Sequence, residues 1–352
     1  MYCPRLQHFV RLNQNGTIGK CGHMVNAQSF KTFDELDNSK WLKKVKTNMQ
    51  KDVWPEECMR CRQTEEVSGE SIRTKSIERH KILHPRKDDY LVVGGVLDNI
   101  CNSACQTCNA HLSTKIGSLT TKKYEKVNNT DQFWQLPQNR ILEVDVNGGE
   151  PTASKNYKKI LANLPTNTVI VRMNTNGSKM ITELENILRK KTMALVTLSF
   201  DGVGDVHDYV RWPIKWKNYI KNVQAYKNLQ KQFPLLKLNL WTTVSSLNLA
   251  DLPAILDFAI EHNIDHDWAL LDTPDALNIK YKNKFTLEAK KKLQSSSYAV
   301  CKDIANRTAI DKDNTEQFEL YVAKQDYLRK IKIDDYFNLG PNRSKKSSAN
   351  RS

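Results

Sequence analysis

Three cysteines crowd one short stretch, "CNSACQTC", at Cys101, Cys105 and Cys108, in a chain with only eight cysteines among 352 residues. Disulfides are a poor use for them, because three is odd and nothing marks the chain as secreted. A shared metal centre suits them better. A cubane iron–sulfur cluster is usually held by four thiolates, so three would ligate three irons and leave the fourth free to bind a small-molecule chelate. Further along, "NGGEPT" (Asn147 to Thr152) carries the pair Gly148 and Gly149. Without a Cβ, such a pair lets backbone come close to a ligand.

These residues need elements to hold them. From about residue 90 to 272, short β-rich runs alternate with helical patterns, as repeated parallel βα units do. Strands are expected at Tyr90 to Leu97, Ile141 to Asn147, Thr168 to Met173, Ala194 to Phe200, Leu236 to Val244 and Asp267 to Leu271. Helices are expected near Lys155 to Leu164, Thr182 to Lys190, Lys217 to Gln232 and Ala250 to His262. In the last of these, Leu252, Ile255, Leu256, Ala259 and Ile260 share one face at helical spacing. Six strands in this register predict an α/β fold, a partial (β/α)6 TIM-like barrel. Right-handed crossovers put the loops after the strands on one rim, where such folds bind ligands. "CNSACQTC" follows the first strand, "NGGEPT" the second, "NTNG" (Asn174 to Gly177) the third and "SFDG" (Ser199 to Gly202) the fourth.

Cys-x3-Cys-x2-Cys after one strand and "GGEP" after the next resemble the radical S-adenosylmethionine (SAM) superfamily. The resemblance implies a 4Fe-4S cluster on Cys101, Cys105 and Cys108 whose open iron chelates the amino and carboxylate groups of SAM. It implies reductive cleavage of SAM to a 5′-deoxyadenosyl radical that abstracts hydrogen from a substrate. By the same resemblance Gly148, Gly149, Glu150 and Pro151 line the methionine amino group. Asn174, Thr175 and Asn176, with Ser199 and Asp201, lie where the family contacts the ribose and carboxylate. "DVHDYVRWP" resembles a stretch often seen after the fourth strand, which makes Arg211 a candidate for the SAM carboxylate or the substrate. The expected partners are a peptide or protein substrate and a low-potential electron donor such as flavodoxin or ferredoxin. Thr107 stands where the family often has an aromatic residue.

Residues 1–75 differ in character. They hold Cys3, Cys21, Cys58 and Cys61 among hairpin-like segments such as "HFVRLNQNGTIGKC". This arrangement is similar to the twitch or SPASM-type auxiliary cluster modules of radical SAM proteins, which commonly follow the barrel, and it implies a second 4Fe-4S cluster. Read from the residues alone, Cys58-x2-Cys61 with two distant cysteines suits a structural zinc knuckle equally well. The expected layout is a small cysteine-rich β-hairpin module at 1–75, a linker at 76–89, the barrel at 90–275, a helical segment at 276–339 over the barrel's open edge, and a disordered basic tail at 340–352.

Composition limits the rest. The formal charge is +15, from 54 Lys and Arg against 39 Asp and Glu. Such a surplus keeps a nucleic-acid partner open, whether as an RNA substrate or for a non-catalytic zinc-containing binder, but the lysines are spread as on solvated helix faces. No apolar stretch approaches the roughly 18 residues of a membrane helix, and a cytoplasmic protein is expected. Cys301 reads as a core cysteine, and Trp134, Trp212, Trp216 and Trp241 read as packing residues.

Overall fold

The computed structural model describes residues 1–83, 89–120 and 124–337. One eight-stranded sheet organises it. The strands are β1 (Phe9–Leu12), β2 (Ile18–Gly19), β3 (Leu91–Asp98), β4 (Ile141–Gly148), β5 (Ile170–Thr175), β6 (Met193–Ser199), β7 (Leu236–Val244) and β8 (Asp265–Leu270). Their order is β2-β1-β3-β4-β5-β6-β7-β8. Every pairing is parallel except the β1-β2 hairpin. The sheet is open, with β2 and β8 as its edges, and β3 to β8 follow the six expected strands closely.

Strand β7 shows why these residues pair as they do. In "LKLNLWTTV", Leu236, Leu238, Leu240, Thr242 and Val244 are buried, while Lys237 and Trp241 on the other face are exposed. That period of two turns one apolar row toward the helices. Helix Trp216–Gln232 answers with buried Tyr219, Val223 and Tyr226, spaced four and three apart on one face. With Val196, Leu198 and Ile255 these residues form a single core cluster. Each fully buried aliphatic side chain contributes roughly 1.5–3 kcal/mol. Cys301 belongs to that core.

The N-terminal residues depart from the separate hairpin module expected at 1–75. The turn "NQNG" does join β1 to β2, with the Asn13 N–H donating to the Thr17 carbonyl at 2.9 Å. The segment is otherwise largely helical, in Pro4–His8, Phe33–Asn38, Lys40–Gln50, Met59–Ser68 and Ile72–Leu83. Strand β1 also runs parallel to β3, with Phe9 opposite Val92 and Leu12 opposite Gly95. The physical reason is edge burial. A two-stranded ribbon is marginal alone, and joining β3 lets Val10 and Leu12 share a core with Leu42, Met49, Val93 and Leu97. The join is finished by rings: His8 stacks on Tyr90 at 4.0 Å, and His80 stacks on Tyr90 at 5.7 Å. Of the expected linker, residues 76–83 complete helix Ile72–Leu83, and 84–88 lie outside the described residues. The expected tail at 340–352 lies outside them too.

The C-terminal segment is helical as expected, in Lys284–Gln294, Ala299–Asn306 and Thr315–Arg329. Phe318 and Val322 of the last helix pack with Tyr209 and Val210 of the short helix Asp205–Val210 and with Leu247 and Leu277, all in the connections beyond the strand ends. No described helix is long and apolar enough to cross a membrane.

Candidate functional site

Strand β3 ends at Asp98, which anchors the cysteine loop. Its carboxylate accepts from the Ile100 N–H at 3.1 Å, from Asn156 Nδ2 at 3.0 Å and from the Ser154 hydroxyl. The loop backbone is then tied to the stretch after β6: Ala104 N–H donates to the Trp212 carbonyl and Gln106 N–H to the Val210 carbonyl, both at 2.8 Å. Cys105 is buried, and Cys101 and Cys108 are half-buried. All three are free thiols. The Ser103 hydroxyl lies 3.3 Å from Cys101 Sγ and the Ser103 N–H 3.5 Å. Burial pushes the Cys108 thiol up to about 12, reinforced by Cys105 and then Cys101. Burial raises Cys101 as well, with Cys105 adding to it. The Ser103 hydroxyl also lies 3.7 Å from Cys105 Sγ, so one side chain touches two of the three sulfurs.

The glycine pair locks the second motif onto the first. Gly149 N–H donates to the Asp98 carbonyl at 2.8 Å and Glu150 N–H to the Ile100 carbonyl at 2.7 Å. A Cβ on Gly148 would fall 2.0 Å from the Asp98 oxygen, and one on Gly149 would fall 2.0 Å from the Ile100 oxygen. Only glycine fits here. The close approach expected toward a ligand is, at these two positions, an approach of one motif's backbone to the other's.

Glu150 is 1% exposed. Its Oε1 accepts from Thr152 N–H at 3.0 Å, Thr152 Oγ1 at 2.8 Å and Thr175 Oγ1 at 2.8 Å, and its Oε2 accepts from Asn176 N–H at 2.6 Å. Burial raises its pKa, and those four donors pull back against it. A carboxylate has about four lone-pair sites, so this one is nearly filled by protein and holds the loops after β4 and β5 together. Asn176 carries the link onward, its Nδ2 donating to Asn102 Oδ1 at 2.8 Å and to Ser103 Oγ at 3.2 Å. Asn174 is exposed and donates to Asn147 Oδ1 at 2.7 Å. Pro151 and Thr175 are buried, and Ser199 is half-buried opposite Trp241. Asp201 accepts from Thr243 N–H at 2.8 Å and pairs with Arg211 Nη1 at 3.0 Å. Burial alone would lower the Arg211 pKa, but Cys105 and Asp201 turn the net shift upward.

Sequence reasoning expected a C-terminal helical segment but missed its contacts with the cysteine loop. Arg329 Nε donates to the Ala104 carbonyl at 2.8 Å and Nη2 to the Cys105 carbonyl at 3.3 Å, while the Tyr321 hydroxyl donates to the Gln106 carbonyl at 2.8 Å. More than 200 residues separate these partners, and "YLRKIK" reads like a solvated helix end, so no local signal marks them. Trp241 was expected to pack, yet it is 38% exposed on the sheet face away from the helices. Trp216 does pack, stacked against Phe200.

A second thiol group forms at the N-terminal segment. Cys3 precedes helix Pro4–His8, Cys21 follows β2, and Cys58 and Cys61 straddle the start of helix Met59–Ser68. All four line one half-open cavity of about 370 Å³, counting the space at its mouth, together with Leu6, Met49 and Trp54. Burial pushes Cys58 up to about 12, reinforced by Cys3, Cys61 and Cys21. Burial raises Cys3 to about 11, with backbone N–H groups opposing and Cys21 and Cys61 adding. Cys21 Sγ accepts from Arg5 Nε at 3.3 Å and from His23 N–H at 3.4 Å. Among the described residues no three His, Cys, Asp or Glu side chains converge on a point that would hold one metal ion. A cubane does not require that, since each thiolate takes its own iron.

No family model matches the chain, and no curated protein does. Several solved structures are similar at low identity. A structure of anSMEcpe with bound AdoMet is 16% identical, covers 68% of this chain and has a TM-score of 0.40. This chain spans 62% of that protein's length. Streptococcus suis SuiB bound to its precursor peptide SuiA is 13% identical over 92% of this chain and 70% of its own, with a TM-score of 0.39. TsrM from Kitasatospora setae, a radical S-adenosylmethionine methyltransferase with cobalamin and a [4Fe-4S] cluster bound, is 12% identical over 51% of this chain and 37% of its own, with a TM-score of 0.38.

Proposed function

We propose that the chain is a radical SAM enzyme acting on a peptide or protein. The observation that carries this reading is the interlock of the two motifs: the cysteine loop and the glycine pair are one backbone unit, which no side chain larger than hydrogen at 148 or 149 permits. Three free thiols in one loop, with the Ser103 N–H and hydroxyl beside Cys101 Sγ, suit a cubane with one open iron. Cys101, Cys105 and Cys108 would hold that cluster. When bound and reduced by a flavodoxin-like or ferredoxin-like donor, it supplies one electron that cleaves SAM to methionine and a 5′-deoxyadenosyl radical, which takes a hydrogen atom from the substrate.

The chain's own residues then have distinct tasks. Glu150 holds the loops after β4 and β5 in register with the cysteine loop. The pair of Asp201 and Arg211 places a cation beside Cys105, where a SAM carboxylate would be met by charge. Ser199 and Asn174 stay partly open on the rim for ribose hydroxyls. The four N-terminal thiols would hold a second cubane, and their full complement of four leaves no iron open.

The peptide reading rests on the inward sheet face. Asp145, Asn174, Lys237, Asn239, Trp241 and Asp267 stand there, with Asn239 Nδ2 donating to Asp267 Oδ2 at 3.3 Å. A closed barrel would fill this space with aliphatic layers. Here mixed charges line it, Arg172 and Lys237 among Asp145 and Asp267, together with an exposed indole, a lining that suits the polar and aromatic groups of a peptide. The test is anaerobic reconstitution, reduction with dithionite and chromatography of the products formed from SAM. The wild type is expected to release 5′-deoxyadenosine, and Cys105→Ala to release none above background; equal yields from both would refute the assignment.

A further inference from the structure

Arg329 is 4% exposed at the end of helix Thr315–Arg329. Its guanidinium donates to the carbonyls of Ala104 and Cys105 at 2.8 and 3.3 Å, and to the Gln325 carbonyl at 3.2 Å. Two turns earlier Tyr321 holds the Gln106 carbonyl. One helix face thus grips three consecutive carbonyls in the middle of the cysteine loop.

The charge balance around this grip is incomplete. Among the described residues Arg329 makes no ion pair; the carboxylate on its own helix, Asp326, accepts instead from the Tyr209 hydroxyl at 2.8 Å and the Ile333 N–H at 2.7 Å. Arg211, the other cation on this loop, has Asp201. Burying an ion without its counter-ion costs several kcal/mol, and neutral carbonyls offset only part of that. Negative charge held by the site itself would supply what Asp326 only partly gives, and the cysteine whose carbonyl Arg329 holds is Cys105.

We infer that Arg329 is the counter-charge and positioning residue of the group held by Cys101, Cys105 and Cys108, so that the C-terminal helix is part of the cofactor site. This rests on the cluster reading above. A cubane gains one negative charge on reduction, so a buried cation beside it favours the reduced form and raises its midpoint potential. The guanidinium fork also holds the loop's shape, which a lysine at 329 would do less well while keeping the charge.

The two roles separate experimentally. Redox titration followed by electron paramagnetic resonance (EPR) of the reconstituted full chain, read on the signal that responds to added SAM, compares wild type, Arg329→Gln, Arg329→Lys and the exposed control Arg307→Gln. At a fixed potential Arg329→Gln is expected to show a reduced-to-oxidised ratio at least tenfold lower, a downward midpoint shift of about 59 mV or more for one electron. Arg329→Lys and the control are expected to stay near wild type. Hydrogen exchange at residues 104–106 of the iron-free protein is expected to quicken in both Arg329 variants and not in the control. An Arg329→Gln midpoint equal to wild type overturns the inference and leaves the cluster reading standing. If Arg329→Gln fails to load iron, Arg329→Lys loading no better than Gln overturns the charge role, and loading near wild type supports it. A wild type with no SAM-responsive signal removes the cluster reading, and this inference with it.

Discussion

The rim site and the N-terminal site gather similar sulfurs by opposite means. On the rim, three thiols lie within eight consecutive residues, and their geometry is imposed from outside by Gly148 to Glu150, by the carbonyls of Val210 and Trp212, and by Arg329 and Tyr321. At the N-terminal site four thiols come from three separate stretches and meet only because helices and the β1-β2 hairpin fold around a shared cavity. On the proposed reading the first arrangement would leave one cluster position for chemistry and brace the rest. On the same reading the second would fill every position and serve as a closed staple or an electron relay. Three donors under external restraint and four donors that are themselves the restraint make different demands on the chain, and substitutions should expose the difference.

The largest effect is expected where the rim depends on absent atoms. Gly149→Ala drives a methyl group into the Ile100 carbonyl and should cost about 3 kcal/mol or more. Thermal unfolding and iron analysis would read it as a lower Tm with rim iron lost and N-terminal iron kept. Next comes Cys61→Ala, which should remove about four of about eight irons while the SAM-responsive EPR signal persists. Loss of both signals together would mean that the two sites assemble as one.

Glu150→Gln sharpens the comparison further. It leaves at least one of the four donors facing an amide N–H and should lower stability by about 2 kcal/mol, measured by denaturant unfolding, with no change in N-terminal iron. The smallest effect concerns the seam between the regions. Burial against Tyr90 lowers the His8 pKa to about 4, against an ordinary 6.5. The unfolded chain therefore takes up the proton first, so the stability His8 contributes is complete above pH 6.5 and is lost as pH falls toward 4. His8→Phe should shrink the fall in Tm between pH 7.5 and pH 5, and an unchanged fall would place the acid sensitivity elsewhere, His207 being the next buried candidate.

The same contrast explains what could be read from the chain beforehand. The barrel strands were visible because apolar residues alternate, as in "LKLNLWTTV", and because crossovers in such folds have a preferred hand. The rim motif was visible because its donors are local. The N-terminal thiols could be counted, but nothing in "HFVRLNQNGTIGKC" announces that Phe9 to Leu12 will run beside Leu91 to Asp98 and draw the whole segment onto the sheet. That pairing depends on the free edge of β3, a tertiary fact. Arg329 was invisible for the same reason: its partners lie 224 and 225 residues away, and a Lys/Arg-rich helix end ordinarily faces water. Glu150 stood out only as part of the GGEP motif, and its four donors belong to three different residues that only the fold assembles.

The central claim is that three thiols hold a cubane whose remaining iron is free for SAM. EPR of the reduced, reconstituted protein with and without SAM tests it most directly, alongside metal analysis of the same sample. The account predicts about eight irons and a cluster signal that changes on adding SAM and vanishes in Cys105→Ala. Zinc in place of iron, or an iron signal that SAM leaves unaltered, would contradict it.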